Sequence, residues 1–258
     1  MKSQLALLLF ALALAPLRAT AEGGAGELLI ATSASIPPFA IAGDDSGIVV
    51  DIMRAALTEQ GYRVNFTYAP NQRLAMELAR GKVDGVYNLP LGLIENVHYS
   101  EPVIVYLNVA ITLQAEALDI SSIEDLATLR VTGFQNATVF LGDDFALMAQ
   151  SNPRYTEVSH QRSQLAQLFQ GHTDVIVLDW SIFTYLRQIL ADSMDTSTPI
   201  RVHQLLPPME RFAAFVDPGV RDDFNSGLRA LHETSQYEAI VRHYLPDPLP
   251  TYITGQRK

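Results

Sequence analysis

From Glu27 onward, short β-branched or apolar runs alternate with longer stretches of helical periodicity, and that alternation limits the chain to stacked βαβ units around largely parallel sheets. Residues 28–32 read as the first strand, with Ser33 at its end. Over residues 47–61, Val50, Met53, Ala56 and Leu57 recur at helical spacing, and Gly61 stands where a helix C-cap belongs. Strands are expected over 63–68 and 82–87, a helix over 73–80 closed by Gly81, and a long extended stretch over 103–113.

The pattern then restarts. A helix over 122–128 that Ser121 or Ser122 can cap precedes a strand over 130–134. Helices are expected over 138–150, 162–170 and 180–190, with a strand over 173–178. A polar loop over 192–198 leads to extended segments over 200–206 and 211–216, and helices over 220–233 and 237–244 end the folded part. Pro246, Pro248 and Pro250 make the tail non-helical.

Ahead of this pattern, Lys2 precedes an apolar run from Leu5 to Leu17 that is too short and Ala-rich to span a bilayer, and Ala19-Thr20-Ala21 supplies the small residues a signal peptidase needs. Residues 1–21 read as a secretory leader, with the mature chain starting at Glu22 and residing free in the periplasm. Cysteine is absent, which excludes a lipid-anchored N-terminus, disulfides, thiol catalysis and thiolate metal sites. Stability therefore rests on apolar cores, for which 258 residues at 48% hydrophobic content suffice. Without Lys2 and Arg18 the chain carries 16 basic and 28 acidic residues, a net charge of −12, which argues against a nucleic-acid partner. His98, His160, His172, His203, His232 and His243 are scattered, none at metal-ligand spacing with another, and no Gly-rich phosphate loop follows a strand. No metal and no cofactor is expected.

Five local patterns occur in a specific order: Ser35-Ile36-Pro37-Pro38-Phe39; Gly47 with Asp51; Gly81-Lys82-Val83-Asp84-Gly85; Tyr99-Ser100-Glu101-Pro102; and Thr173 to Asp179. With Ile123-Glu124-Asp125-Leu126 before the second unit and the segment from Phe224 to Leu245, they cover nearly all of the mature chain. Together they resemble the family 3 periplasmic solute-binding proteins, the polar amino-acid receptors of ABC importers. The resemblance implies an α/β fold of the type II periplasmic binding-protein kind: two lobes, each an α/β sandwich, joined by two crossover strands. Lobe 1 would comprise residues 22–110 and 204–258, and lobe 2 residues 111–203, with crossings near 110–113 and 198–204. A small polar molecule, an amino acid or related amine or polar metabolite, would be held in the cleft of a monomer that serves an ABC permease or a membrane sensor.

The resemblance also points to candidate contacts, each with a plainer reading beside it. Ser33 ends the first strand. Phe39, behind two prolines, either walls the site or caps the lobe's core. Asn71, Gln72 and Arg73 open a helix at the cleft, though Arg73 could be an ordinary surface residue. Tyr87 and Asn88 end the third strand, where Asn88 offers a donor and an acceptor or serves as a turn residue before Pro90. Gln135, Asn136 and Thr138 occupy the turn whose amides and hydroxyls hold a ligand carboxylate in the family; Asn136 can take the left-handed backbone of the family's Gly, and Thr138 could be only an N-cap. Asp179 matches the acid that receives a ligand amino group, or it caps the following helix.

One departure bears on the ligand. The family's carboxylate-clamping Arg precedes the Tyr99 equivalent, and residues 88–97 hold neither Arg nor Lys. The chain keeps the acid and loses the base, which favours a cationic or neutral ligand, or a carboxylate met by Arg73. The catalytic alternative is a periplasmic lyase of the cyclohexadienyl dehydratase kind, which resembles this family.

Overall fold

The computed structural model describes residues 26–33, 35–89 and 91–245; the expected leader and the Pro-rich tail lie outside them. Strand β1 (Glu27–Ser33) is followed by a small hairpin, β2 (Ser35–Ile36) and β3 (Ala40–Ile41), then by helix α1 (Ile48–Glu59), β4 (Arg63–Ala69), α2 (Asn71–Ala79), β5 (Gly85–Leu89) and β6 (His98–Tyr106). After Leu107 come β7 (Asn108–Leu113), β8 (Val131–Phe134), α3 (Ala137–Phe140), α4 (Asp143–Ser151), β9 (Tyr155–Val158), α5 (Gln161–Phe169), β10 (Val175–Asp179), α6 (Trp180–Leu190) and β11 (Ile200–His203). The chain closes with β12 (Met209–Phe215), α7 (Pro218–Glu233) and α8 (Gln236–Tyr244).

These strands build two five-stranded sheets of the same plan, ordered β4-β1-β5-β12-β6 and β11-β7-β10-β8-β9. In each, three neighbouring strands run parallel and the two at the other end run antiparallel. The sheets are thus mixed rather than largely parallel, because β7 and β12, each entering directly from the other sheet, run opposite to the parallel strands beside them. The first crossing is a single residue, Leu107; Asn108, Val109 and Ala110 already pair with β10, three residues ahead of the expected changeover. The second spans residues 204–208, after β11 has paired with β7 through His203.

Both faces of each sheet are covered, which is why several strands read as continuous apolar runs. In β10, Ile176 and Leu178 join a core that includes Ile182, Phe183 and Leu186 of α6, while Val175 and Val177 turn to Phe145 and Met148 of α4. In β1, Leu28 and Ile30 face Ile52, Met53 and Phe224, while Ala31 meets Leu74 and Leu78 of α2. Helix α1 buries Ile48, Val49, Val50, Ile52, Met53, Ala56 and Leu57. It packs on α7 at Gly227, where an added Cβ would lie 2.0 Å from the Ala56 carbonyl oxygen. Gly47, at φ 129°, is required too: a Cβ there would meet the Phe39 carbonyl oxygen at 2.5 Å. The Tyr244 hydroxyl donates to Asp51 and accepts the Gly47 N–H, tying α8 back to the start of α1.

Other local differences have clear causes. Gly142, at φ 93°, divides the single helix expected over 138–150 into α3 and α4. Residues 124–128 form a 3₁₀ turn rather than an α-helix, and the third strand begins at Gly85 rather than at Lys82.

Candidate functional site

The register brings the carboxyl ends of the parallel strands to the crossings. Asp179, ending β10, pairs with Asn108, the first residue past Leu107. In the first sheet, Met209 pairs with Tyr106, and Phe212 with Leu89 at the end of β5. The strand ends of both sheets therefore meet where the chain passes between them, the crevice position at which open α/β sheets bind ligands.

On the first sheet, Ser33 is buried at the end of β1 and its Oγ accepts a hydrogen bond from Asn88 Nδ2 at 3.0 Å. Asn88 holds φ 76°, a left-handed conformation that Asn tolerates well. Asn71 opens α2 just beyond β4. Arg73 is exposed and pairs with Glu77 one turn along its own helix, at 3.2 Å, where a surface ion pair has little energetic weight. Phe39 is fully buried and stacks on Tyr106 with ring centroids 4.3 Å apart. Tyr87 is fully buried as well, its hydroxyl 3.2 Å from that of Tyr106. Phe39 and Tyr87 thus form an aromatic floor with Tyr106 beneath the strand ends rather than an open wall.

On the second sheet, Asp179 is 2% exposed and holds both ends of the junction. Its Oδ1 accepts the Ser181 and Ile182 N–H groups at 2.8 and 3.1 Å, capping α6, and its Oδ2 accepts the N–H of Leu107, the crossing residue, at 2.8 Å. Burial pushes its carboxyl up to about 7, against the pull of these backbone donors. Gln135 and Asn136 are exposed in the turn after β8, and Asn136 takes the left-handed conformation, φ 64° and ψ 25°.

That turn does meet a carboxylate, and it is the chain's own. Glu157 of β9 accepts the Asn136 N–H at 2.6 Å, the Thr138 N–H at 3.1 Å, the Thr138 hydroxyl at 3.2 Å and the Tyr155 hydroxyl at 3.0 Å. Partial burial pushes the Glu157 carboxyl up, but the Thr138 and Asn136 amides outweigh it and leave the group below the usual range.

Sequence reasoning missed Glu157, Tyr106 and Arg211. β9 is only four residues long and alternates weakly, so Glu157 had no strand to place it. Tyr106 stands in an extended run with no visible break at Leu107. Arg211, near the start of β12, sets its guanidinium carbon 5.0 Å from the centroid of the Tyr106 ring, within cation–π range. A groove at the far end of α6, lined by Arg187, Met194 and Thr196 among others, lies outside this constellation; Arg187 is spent there on the carbonyls of Thr196, Ser197 and Thr198.

Two mixed α/β sheets joined by two short crossings, with strand ends gathered at the junction, define the two-lobed type II periplasmic binding-protein fold. The chain belongs to the bacterial extracellular solute-binding proteins, family 3, whose model matches residues 28–247. No curated protein matches it by sequence. Among solved structures it is similar to the ligand-binding core of GluR0 in complex with L-glutamate, at 15% identity and TM-score 0.67, covering 86% of this chain and 100% of that one. It is also similar to a histidine kinase sensor domain with similarity to periplasmic binding proteins, at 16% identity and TM-score 0.66 over 85% and 96% of the two chains. A third likeness is to an ancestral amino-acid-binding protein, a precursor of cyclohexadienyl dehydratase, at 18% identity and TM-score 0.62 over 85% and 95%. At these identities the likeness establishes the fold. No helix among the described residues is long and apolar enough to cross a membrane.

Proposed function

We propose that this protein is an exported receptor that captures a small polar molecule, an amino acid or a related amine or polar metabolite, between its two lobes and releases it unchanged. The observation that carries this reading is the convergence of the strand ends of both sheets on two crossings, one of them a single residue, Leu107. Short crossings let the lobes turn about few backbone torsions and close on a ligand. The leader expected over residues 1–21 puts the receptor in the periplasm, where an ABC permease or a membrane sensor would be its partner and a monomer its working form. The sensor domain among the similar structures supports the sensing role, and the amino-acid-binding ancestor supports capture of an amino acid.

The dehydratase precursor among those structures supports a second reading, a lyase on the same fold. A lyase needs an acid or base that reaches its substrate. Asp179 has an acid's pKa near neutrality, but it is almost wholly enclosed and turns both oxygens to backbone N–H groups. Binding without chemistry is therefore the better supported reading.

A thermal-shift screen over amino acids, polyamines, small dicarboxylates and sugars tests it, because a ligand that binds only the folded chain stabilises it by about 2.7 kcal/mol at a hundredfold excess over Kd. The receptor reading expects at least one such shift, with the bound molecule recovered intact by NMR. Conversion of the bound molecule would favour the lyase, and no shift across the panel would count against both.

A further inference from the structure

Among the described residues, Arg211 is set apart from the other arginines by what surrounds it. Arg54, Arg73, Arg130, Arg221, Arg229 and Arg242 pair with carboxylates, and Arg187 and Arg201 donate to backbone carbonyls. Arg63, Arg80, Arg154 and Arg162 are exposed to water. Arg211 is half-buried, and among the described residues it has neither an ion-pair partner nor a hydrogen-bond acceptor; its Nε is buried and unpartnered. The two Nη atoms are not sealed in this way. A guanidinium drawn partly out of water and offset by one aromatic ring retains a strong preference for an anion, since a cation–π contact replaces only part of the lost hydration.

Its location gives that preference a use. Arg211 lies two residues past the start of β12, just after the second crossing, and pairs with Ile104 of β6. The ring beneath it, Tyr106, immediately precedes the first crossing and rests in turn on Phe39 and Tyr87. The cation is thus braced on a rigid aromatic floor at the point where both crossings meet the first sheet. A planar fork held in this way suits a carboxylate, which it grips through two parallel hydrogen bonds.

We propose that Arg211 is a specificity-determining residue that receives a carboxylate of the ligand through its Nη groups, so that the receptor favours carboxylate-bearing small molecules. This rests on the receptor reading above and names the chemistry of its ligand.

The test is calorimetry on the wild-type chain, Arg211→Met and Arg211→Lys. The probes are L-glutamate, L-glutamine and L-arginine, the α-carboxamides of each, succinate, putrescine and glucose. At least one carboxylate probe should bind the wild type, with its carboxamide bound at least tenfold more weakly. Arg211→Met should weaken that carboxylate at least tenfold and leave the carboxamide unchanged, and Arg211→Lys should recover part of the loss, as a cation without the fork. Equal weakening of acid and amide would assign Arg211 to bracing Tyr106 and overturn the proposal, as would Arg211→Met binding the acid within threefold of wild type. If putrescine or glucose binds while no carboxylate does, this inference fails and the receptor reading stands. If no probe binds the wild-type chain, this inference fails, and the receptor reading is decided by the wider thermal-shift screen.

Discussion

One buried carboxylate fastens the start of α6 to the residue at which the chain changes lobes. Asp179 collects three backbone N–H groups, yet burial still lifts its carboxyl to about 7, well above the roughly 3.9 of an unfolded chain. A group whose folded pKa is raised binds more protons folded than unfolded between those values, so its contribution to stability is fully present below about pH 4 and is lost as pH rises through 7. Urea unfolding of the wild type and Asp179→Asn should show this directly: the stability of the wild type relative to the variant should fall by about 2 kcal/mol between pH 5 and pH 7. A difference that is flat or rises over that window would mean that the carboxylate is satisfied as an anion. At this scale the sequence was partly readable. The left-handed Asn136 follows from its side chain's tolerance of that backbone, and the capping role of Asp179 from its place between strand and helix. That Tyr87 lies beneath the strand ends, or that Arg73 is spent on Glu77, depends on which way a side chain leaves its element, and local spacing does not settle that.

Between elements, the closest approach is that of α1 and α7. Gly227 lets the two backbones touch, and because an added methyl would strike the Ala56 carbonyl rather than a flexible side chain, one helix must move to admit it. Gly227→Ala should therefore cost about 3 kcal/mol, at the upper end for overpacking, read as a lowered urea midpoint with an unchanged m-value. A midpoint equal to that of the wild type would show the contact to be loose. Helices α1, α6 and α7 were legible because each carries a long apolar stripe with a capping residue or a terminal Gly. β9 was not, since Tyr155 to Val158 is short and only half-buried. Strand direction was also hidden: the run from residue 103 to 113 is one extended pattern in sequence but two strands in different sheets, and its division at Leu107 depends on partners remote in the chain.

At the scale of the molecule, two sheets of one plan are joined at a seam of few residues, and the C-terminal segment closes the first lobe by inserting β12 between β5 and β6. The return of residues 204–258 to the first lobe was an implication of the family resemblance and not of local spacing, because no short pattern in that segment names the strands it pairs with. The identity of the ligand was not legible: the clamp position expected from the family holds no base, and the cation now proposed for the role lies more than a hundred residues downstream, brought to the crossings by the fold alone. Capture between lobes requires that they move, with Leu107 and residues 204–208 taking up the rotation. Small-angle X-ray scattering of the chain, with and without a saturating concentration of a ligand found in the thermal-shift screen, measures that movement. The account predicts a smaller radius of gyration and a shorter maximum dimension in the bound state, and an unchanged scattering profile at full saturation would contradict it.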